Sequence, residues 1–335
     1  MYNIIQNMNR INLLIIGTTP EISGIGGVTV HVQRLMNVIK ECAILGIELC
    51  DYKAEGVIAQ IKKIRRSKAI HIHVSNPYLK CFYVLISKIF NTKSIITLHG
   101  RYGIYTSLKN KINKLALKLC DVPILINKES YEAVKLINSS SILSPAFIRP
   151  SKEEEVLPSD VTQKIRDIKD SGRLLFVTNA SSRAFSSAGE EIYGIDFLIS
   201  FFKKYTEYIL LILDPSNQYA PLYSDQLSEN VNIITRSISF SGLLSMCDAV
   251  VRNTSTDGDS FSVKEALYFR RPVLASDVVT RPEGVVLFHY NDEKSLLTAI
   301  KSLMSAKHIA VQEVTEATES YIKLYQELGL INLNE

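Results

Sequence analysis

The sequence is poor in the residues that break or staple chains. Only 15 of its 335 residues are glycine and 10 are proline, while 46% are hydrophobic. That balance excludes a disordered, collagenous or low-complexity chain. Cysteine is scarce as well. Cys42, Cys50, Cys81, Cys120 and Cys247 are odd in number, scattered, and never in CxxC spacing. A disulfide scaffold, a zinc ribbon and a thioredoxin-like site are thereby disfavoured, and a reducing compartment is expected. Long apolar runs are missing. The main one near the start, Ile11 to Gly17, has seven residues, against the roughly twenty of a membrane helix. No small-residue cleavage site accompanies it, so a buried strand is expected there and not a signal peptide. The length points to two domains of a soluble, cytoplasmic protein. No short-period repeat is visible.

What is present is a division of charge. The net charge of +4 hides +12 over residues 1–150, with 20 basic and 8 acidic side chains, and −8 over residues 151–335, with 18 and 26. Much of the basic excess sits in Lys62-Lys63-Ile64-Arg65-Arg66 and in Ser107 to Cys120. There Lys109, Lys111, Lys114 and Lys118 stand among Leu108, Ile112, Leu115, Leu117 and Leu119. On a helix this makes a cationic amphipathic surface suited to anionic lipid headgroups, peripheral on the inner face of the cell membrane. The plainer reading is a solvated helix whose lysines keep the protein soluble. Nucleic acid is not an expected partner, because no aromatic-interleaved basic stripe or DNA-reading motif appears.

Short β-branched runs alternate with helical stretches throughout. Strands are expected at Asn12–Gly17, Gly46–Asp51, Ala69–Val74, Ser94–Leu98 and Val122–Ile126. Helices are expected near Val28–Lys40, Pro77–Phe90, Tyr105–Leu119 and Ser130–Leu136. This βα repeat predicts a doubly wound parallel sheet. A linker with Pro145, Pro150, Pro158 and a run of three glutamates spans Ser144 to Pro158. The pattern then restarts with strands at Arg173–Thr178, Tyr208–Leu213, Val231–Thr235, Ala249–Val251 and Pro272–Ala275. Helices near Gly194–Tyr205, Ser239–Met246, Phe261–Phe269 and Glu293–Met304 separate them. The division expected is 1–150, a basic Rossmann-like domain on the acceptor side, and 151–310, a second Rossmann-like domain. A tail, 311–335, carries a helix near Val311–Leu328 that is free to cross back to the first domain. Two such domains would set the carboxyl ends of their sheets around one cleft, where ligands of open α/β sheets bind.

Four segments offer chemistry. Gly24-Ile25-Gly26-Gly27 lies between the first strand and the first helix, with His31 following. Glycines there let a phosphate approach the backbone and a helix N-terminus supplies N–H donors; an ordinary turn would look the same. The segment is not GxGxxG, and no acidic residue is assigned to the ribose position after the second strand, so a nicotinamide enzyme fits poorly. His71-Ile72-His73 puts two imidazoles on one strand face. Spacing offers no third ligand, so a structural role is favoured and no metal is expected. His99-Gly100-Arg101 ends the fourth strand, where a polar triplet faces ligand. The richest stretch runs from Arg252 through Asp257-Gly258-Asp259-Ser260-Phe261-Ser262-Val263-Lys264-Glu265. A small-residue loop there leads into a helix start that favours an anion. Asp257 and Glu265 both lie within reach of one ligand, although Ser262 and Glu265 also fit a capping box.

These segments, in this order, resemble the retaining GT-B glycosyltransferases of family 4. Their hallmark is a pair of glutamates eight apart, followed by a helix, a Pro-Val strand and a Pro-Glu loop. Asp257 and Glu265, Arg271-Pro272-Val273 and Arg281-Pro282-Glu283-Gly284 match it, with Asp257 in place of a glutamate. Gly26-Gly27 with His31-Val32, Ile70-His71-Ile72-His73 and Thr97-Leu98-His99-Gly100 resemble the glycine loop and the two histidine-bearing strands. The resemblance spans nearly the whole chain. It implies a GT-B fold and retaining transfer of a sugar from a UDP- or GDP-linked donor to a saccharide, with no metal or other cofactor. The expected acceptor is a lipid-linked saccharide in surface polysaccharide assembly. Gly26 and Gly27 would approach the diphosphate and Glu265 the ribose. Asp257 and the Gly258–Phe261 backbone, with Asp259 and Ser260 in it, would hold the sugar, Ser262 and Val263 would complete the nucleotide-sugar site, and His99 would contact the sugar.

One departure stands out. The family's Gly-Arg and Lys-Gly are replaced here by Thr178-Asn179 and Tyr193-Gly194. Both diphosphate-binding cations are missing at their usual positions. Arg183 is the first substitute, with Arg252 and Lys264 behind it; the plainer reading of Arg183 is an exposed loop residue. The loss also leaves room for a silent GT-B subunit that binds a partner or glycan, or for a sugar-nucleotide epimerase of the same fold.

Overall fold

The computed structural model describes residues 11–42, 46–186, 189–223, 226–257, 260–305 and 314–331. The chain forms two compact units. One is built from residues up to Ile148 together with the segment from Thr315 onward, the other from Arg149–Val314.

In the first unit, strands β1 (Ile11–Gly17), β2 (Ile47–Asp51), β3 (Ser67–Ile72), β4 (Lys93–Leu98), β5 (Val122–Leu125) and β6 (Ile142–Leu143) form one sheet ordered β2-β1-β3-β4-β5-β6. All pairings are parallel, with Leu14 against Ile70 and His71 against Ile95. Parallel strands covered on both faces are apolar almost throughout, and β1 is buried at six of its seven positions. The period of two sends Leu14, Ile16, Ile70, Ile72 and Ile96 to one core and Leu13, Ile15, Ala69, Ile95 and Ile124 to the other. His71 and Thr97 share the parity of the second set. The late helix Thr318–Glu327 packs into that second core through Tyr321, Leu324 and Tyr325.

The second unit repeats the plan. Strands β7 (Leu174–Asn179), β8 (Tyr208–Leu213), β9 (Val231–Ile234), β10 (Ala249–Arg252), β11 (Val273–Ser276) and β12 (Val285–Phe288) are parallel in the order β12-β11-β10-β7-β8-β9. Two cores flank this sheet as well.

The sheets match the doubly wound α/β expectation, and the sequence reading left out several elements. Two edge strands, β6 and β12, are only two and four residues long, and a short edge strand has little hydrophobic run to announce it. The helices Val57–Arg66 and Ser159–Asp170 are charged over most of their surface, which hides a narrow buried stripe of Gln60 and Ile64 in one and Val161 and Ile165 in the other. An acidic residue does end the second strand. Asp51 is buried and accepts from the Thr18 hydroxyl at 2.7 Å and from the Lys53 amide at 2.9 Å, so its carboxylate serves the turn. On the helix Ser107–Leu119, Leu117 and Ala116 are buried while Leu108, Leu115 and the lysines 109, 111, 114 and 118 are exposed. Among the described residues no helix is long and apolar enough to cross a membrane.

Candidate functional sites on the two units

Order reversals in a parallel sheet open a crevice at the carboxyl ends of the strands, and ligands settle there. In the first unit the reversal lies between β1 and β3. The chain leaves β1 into the glycine segment, and Gly26 caps the helix Gly27–Glu41 without a side-chain cap. Gly26 has φ −158°, extended backbone open to any residue. A Cβ on Gly27 would meet nothing within 4 Å, and one on Gly26 only the Thr29 hydroxyl at 3.9 Å. Neither dihedral nor crowding therefore demands glycine here. Their effect is to leave the helix start bare toward an approaching group.

Four histidines gather beside it. His71 is saturated: Nδ1 bonds the Tyr325 hydroxyl at 2.6 Å and Nε2 the Thr97 hydroxyl at 2.8 Å. His73 stacks on it with ring centres 4.1 Å apart, as strand parity requires, and its Nδ1 meets His99 Nε2 at 3.0 Å. His31, one turn into the glycine-capped helix, bonds the Ala146 carbonyl through Nδ1 at 2.8 Å. Burial drives His31 down to about 4 and His71 to about 3, and holds His73 and His99 well below the usual range, with the neighbouring rings and, for His99, Lys80 adding to it. At neutral pH these rings are uncharged, and His99 is a neutral hydrogen-bonding group. The gathering of His31 with His73 and His99 was not legible from spacing, because the three come from different elements. Arg101, the third residue of that triplet, is exposed and pairs with Glu129 at 2.8 Å.

In the second unit the reversal lies between β7 and β10. Asp257 follows β10 and is 9% exposed. Burial opposes its charge, but Arg252 and Arg281 outweigh it and hold the carboxyl below its ordinary value. Arg281 donates to Oδ2 at 2.7 Å and is itself only 2% exposed; Arg252 Nε lies 3.4 Å from the same oxygen. Arg281 also donates to the Ser276 carbonyl and the Thr254 hydroxyl. Ser276 in turn ties the Thr254 backbone to the end of β11. The sequence does not mark Arg281 as a site residue, although it opens the Arg281-Pro282-Glu283 segment; only the fold shows which carboxylate it meets.

The helix after the loop begins at Phe261 with Ser260 as N-cap and no side-chain capping bond. Ser262 is thus inside the helix, and Ser262 with Glu265 is not a capping box. Glu265 is buried, together with Ser260 and Ser262, and the Val263 side chain belongs to the core, leaving only its backbone to meet a ligand. Phe261 and Lys264 are half-buried. Gly258 and Asp259 lie outside the described residues.

The substituted positions come together around one guanidinium. Arg252 Nη1 donates to the Asn179 carbonyl at 3.2 Å, and its guanidinium lies 5.0 Å above the Tyr193 ring. Asn179 and Tyr193 are the two places where the resemblance expects cations. Arg183, by contrast, pairs with Asp196 at 2.7 Å and stacks on Phe185. Gly194 has φ +53°, and a Cβ there would stand 2.2 Å from Asn253 Nδ2 and 2.7 Å from the Asn253 carbonyl. Glycine is required at that corner, where Asn253 bonds the Gly194 carbonyl.

No protein-family model matches the sequence, and no curated protein matches it. Solved structures do. Anabaena Alr3699/HepE in complex with UDP-glucose superposes with a TM-score of 0.67 at 11% identity, covering 95% of this chain and 98% of that one. A glycosyltransferase from Rickettsia africae ESF-5 gives 0.65 at 15% identity, covering 96% and 99%. A putative UDP-N-acetylglucosamine 2-epimerase from Listeria monocytogenes gives 0.61 at 12% identity, covering 97% and 99%. At such identities the likeness is one of fold, and it spans 95–97% of the chain: two Rossmann-like α/β units, the GT-B architecture.

Proposed function

We propose that the protein is a glycosyltransferase moving a sugar from a nucleoside-diphosphate donor to a saccharide acceptor. The observation that carries the reading is the second-unit site. An ionised Asp257 is held by two arginines at the sheet's order reversal, one turn of chain before a helix start with a buried Glu265. Glu265 accepts from ribose hydroxyls and Asp257 from those of the sugar. Arg252 supplies the diphosphate cation that Asn179 and Tyr193 no longer offer, and the helix start at Phe261 opposes the leaving charge. In the reaction the bond from the anomeric carbon to the phosphate oxygen breaks. The acceptor oxygen bonds to that carbon, and its proton passes to the departing diphosphate. Retention of configuration and independence from metal follow from the family resemblance. So does a lipid-linked acceptor in surface polysaccharide assembly, which the exposed Leu108, Leu115 and lysines of the first unit support as a peripheral contact with anionic lipid.

The test has two stages. Thermal melts against UDP, GDP, CDP, ADP and their sugar conjugates should show a shift with one nucleotide; saturation a hundredfold over Kd adds about 2.7 kcal/mol. Transfer assays on Asp257→Asn and Glu265→Gln should then show losses of about a hundredfold or more with the fold kept by circular dichroism, Asp257→Asn melting lower because its two arginines lose their counter-charge. Asparagine is the milder probe, because its amide oxygen still accepts from the buried Arg281, whereas alanine leaves that guanidinium with no side-chain partner at 257. Wild-type turnover in both variants overturns the assignment. Absence of any nucleotide shift points to the silent subunit. Free nucleotide released from donor alone, with no acceptor, points to the epimerase.

A further inference from the structure

The first unit buries more nitrogen lone pairs than its own groups satisfy. His31 sits on the helix Gly27–Glu41, His73 just past β3 and His99 just past β4. One ring nitrogen of each lies within 4.8 Å of one from each of the others. The bond from His31 Nδ1 to the Ala146 carbonyl requires the proton on Nδ1, which leaves Nε2 a bare acceptor. That Nε2 and the Nε2 of His73 are both buried without any partner. A buried polar atom left unsatisfied costs about 1–3 kcal/mol, so two in one cluster need an explanation.

We propose that His31, His73 and His99 form a binding site for a zinc-class divalent cation. Imidazole is the favoured nitrogen ligand of such ions, and three histidines with one open position is a known zinc donor set. The Ala146 carbonyl plays the part of the outer partner that fixes a ligand's tautomer and aims its lone pair. The bond between His73 Nδ1 and His99 Nε2 shares one proton between the two rings, so binding the cation breaks it and turns one lone pair of each ring to the ion. Tetrahedral zinc holds nitrogens at about 2.1 Å, hence about 3.4 Å apart, so closing the set needs side-chain shifts on the order of an ångström. His99 is the half-exposed member and gives the entry path, and the fourth position would be left to water. Lys80 acts on His99 as a like charge; the cation is therefore held by lone pairs, not by a negative field. The binding does not rest on the sugar reading.

Full-length protein, freed of metal by chelation, is titrated with Co2+ followed by visible absorption, and with Zn2+ by calorimetry. The expected result is one equivalent bound, with the spectrum of tetrahedral cobalt on nitrogen and no thiolate charge-transfer band. His99→Gln, at the half-exposed ligand, should keep the fold by circular dichroism and weaken binding by at least about a hundredfold, a loss that outer-sphere changes alone can reach. His73→Gln should do the same. His289→Gln, whose exposed ring pairs with Asp277 in the second unit, should bind as wild type. No uptake of either ion overturns the proposal, and so does a thiolate band or binding that survives His99→Gln. Because these readouts need no donor, they fail or succeed separately from the transferase assignment.

Discussion

At the scale of single residues, buried charge separates positions that are paired from one that is not. Asp257 is compensated by two guanidiniums. Lys80 is 1% exposed, and its ammonium lies 5.7 Å from the centre of the Tyr105 ring. Burial pushes its pKa down to about 8 from 10.5. At pH 7 the folded chain therefore keeps a charge where water would hold it better, at a cost of roughly 3 kcal/mol. Lys80→Met should stabilise the protein by about that amount at pH 7. As pH rises past 8 the folded state gives up the proton while the unfolded state keeps it to about 10.5. The wild type then gains stability, and its deficit against Lys80→Met shrinks across that window. Paired urea melts from pH 7 to 10 check this, since titrating tyrosines and cysteines cancel in the difference. A gap that stays constant with pH would show that Lys80 carries no charge penalty.

At the scale of elements, the loop ends decide the site. Gly194→Ala places a methyl where φ is +53° and Asn253 stands 2.2 Å away. The left-handed backbone alone costs about 1–2 kcal/mol, and displacing Asn253 breaks its bonds to the Gly194 carbonyl and Asn291. A loss of about 3 kcal/mol in denaturant midpoint terms is expected, together with weaker nucleotide binding, because Asn253 adjoins Arg252. A variant that melts and binds as wild type would show that this corner can move freely. The same elements show how far the sequence could be read. Central strands were legible, since a run such as Tyr208–Leu213 is apolar at every position. The helix Ser159–Asp170 was not, because two buried side chains among charges give too weak a stripe. Asp257 and His99 were legible as polar residues just past strand ends, and Glu265 as a carboxylate in the helix that follows. Arg281 on Asp257, Arg252 between Asn179 and Tyr193, and His31 beside His73 were not. Each joins segments far apart in sequence, and only the order of strands brings them together.

At the scale of the whole molecule, the two units differ in how they are drawn from the chain. The second is continuous, whereas the first is completed only by residues after Thr315. That late segment enters through a bond from the Ala317 amide to the Phe147 carbonyl at 2.7 Å. It buries Tyr321, Leu324, Tyr325, Leu330 and Ile331 against the sheet face of Leu13, Ile15, Ala69, Ile95 and Ile124. Tyr325 also supplies the partner of His71 Nδ1. Each buried side chain of that size is worth about 1.5–3 kcal/mol of transfer, and the sheet face loses its cover as well. The sum is comparable to the 5–15 kcal/mol by which a domain is stable at all. A chain stopped after Val314 should therefore keep a cooperative transition for the second unit and lose the one for the first, with dye-binding apolar surface and rapid proteolysis before Ile148. Tyr325→Phe is the finer probe. It keeps the packing and removes one hydroxyl, so it should lower only the first unit's transition, by about 1–3 kcal/mol. If the shortened chain shows both transitions unshifted, the late helix is an ornament on a sheet that folds without it. If only the first is lost, the last turns of the chain are what let the histidine-bearing sheet exist.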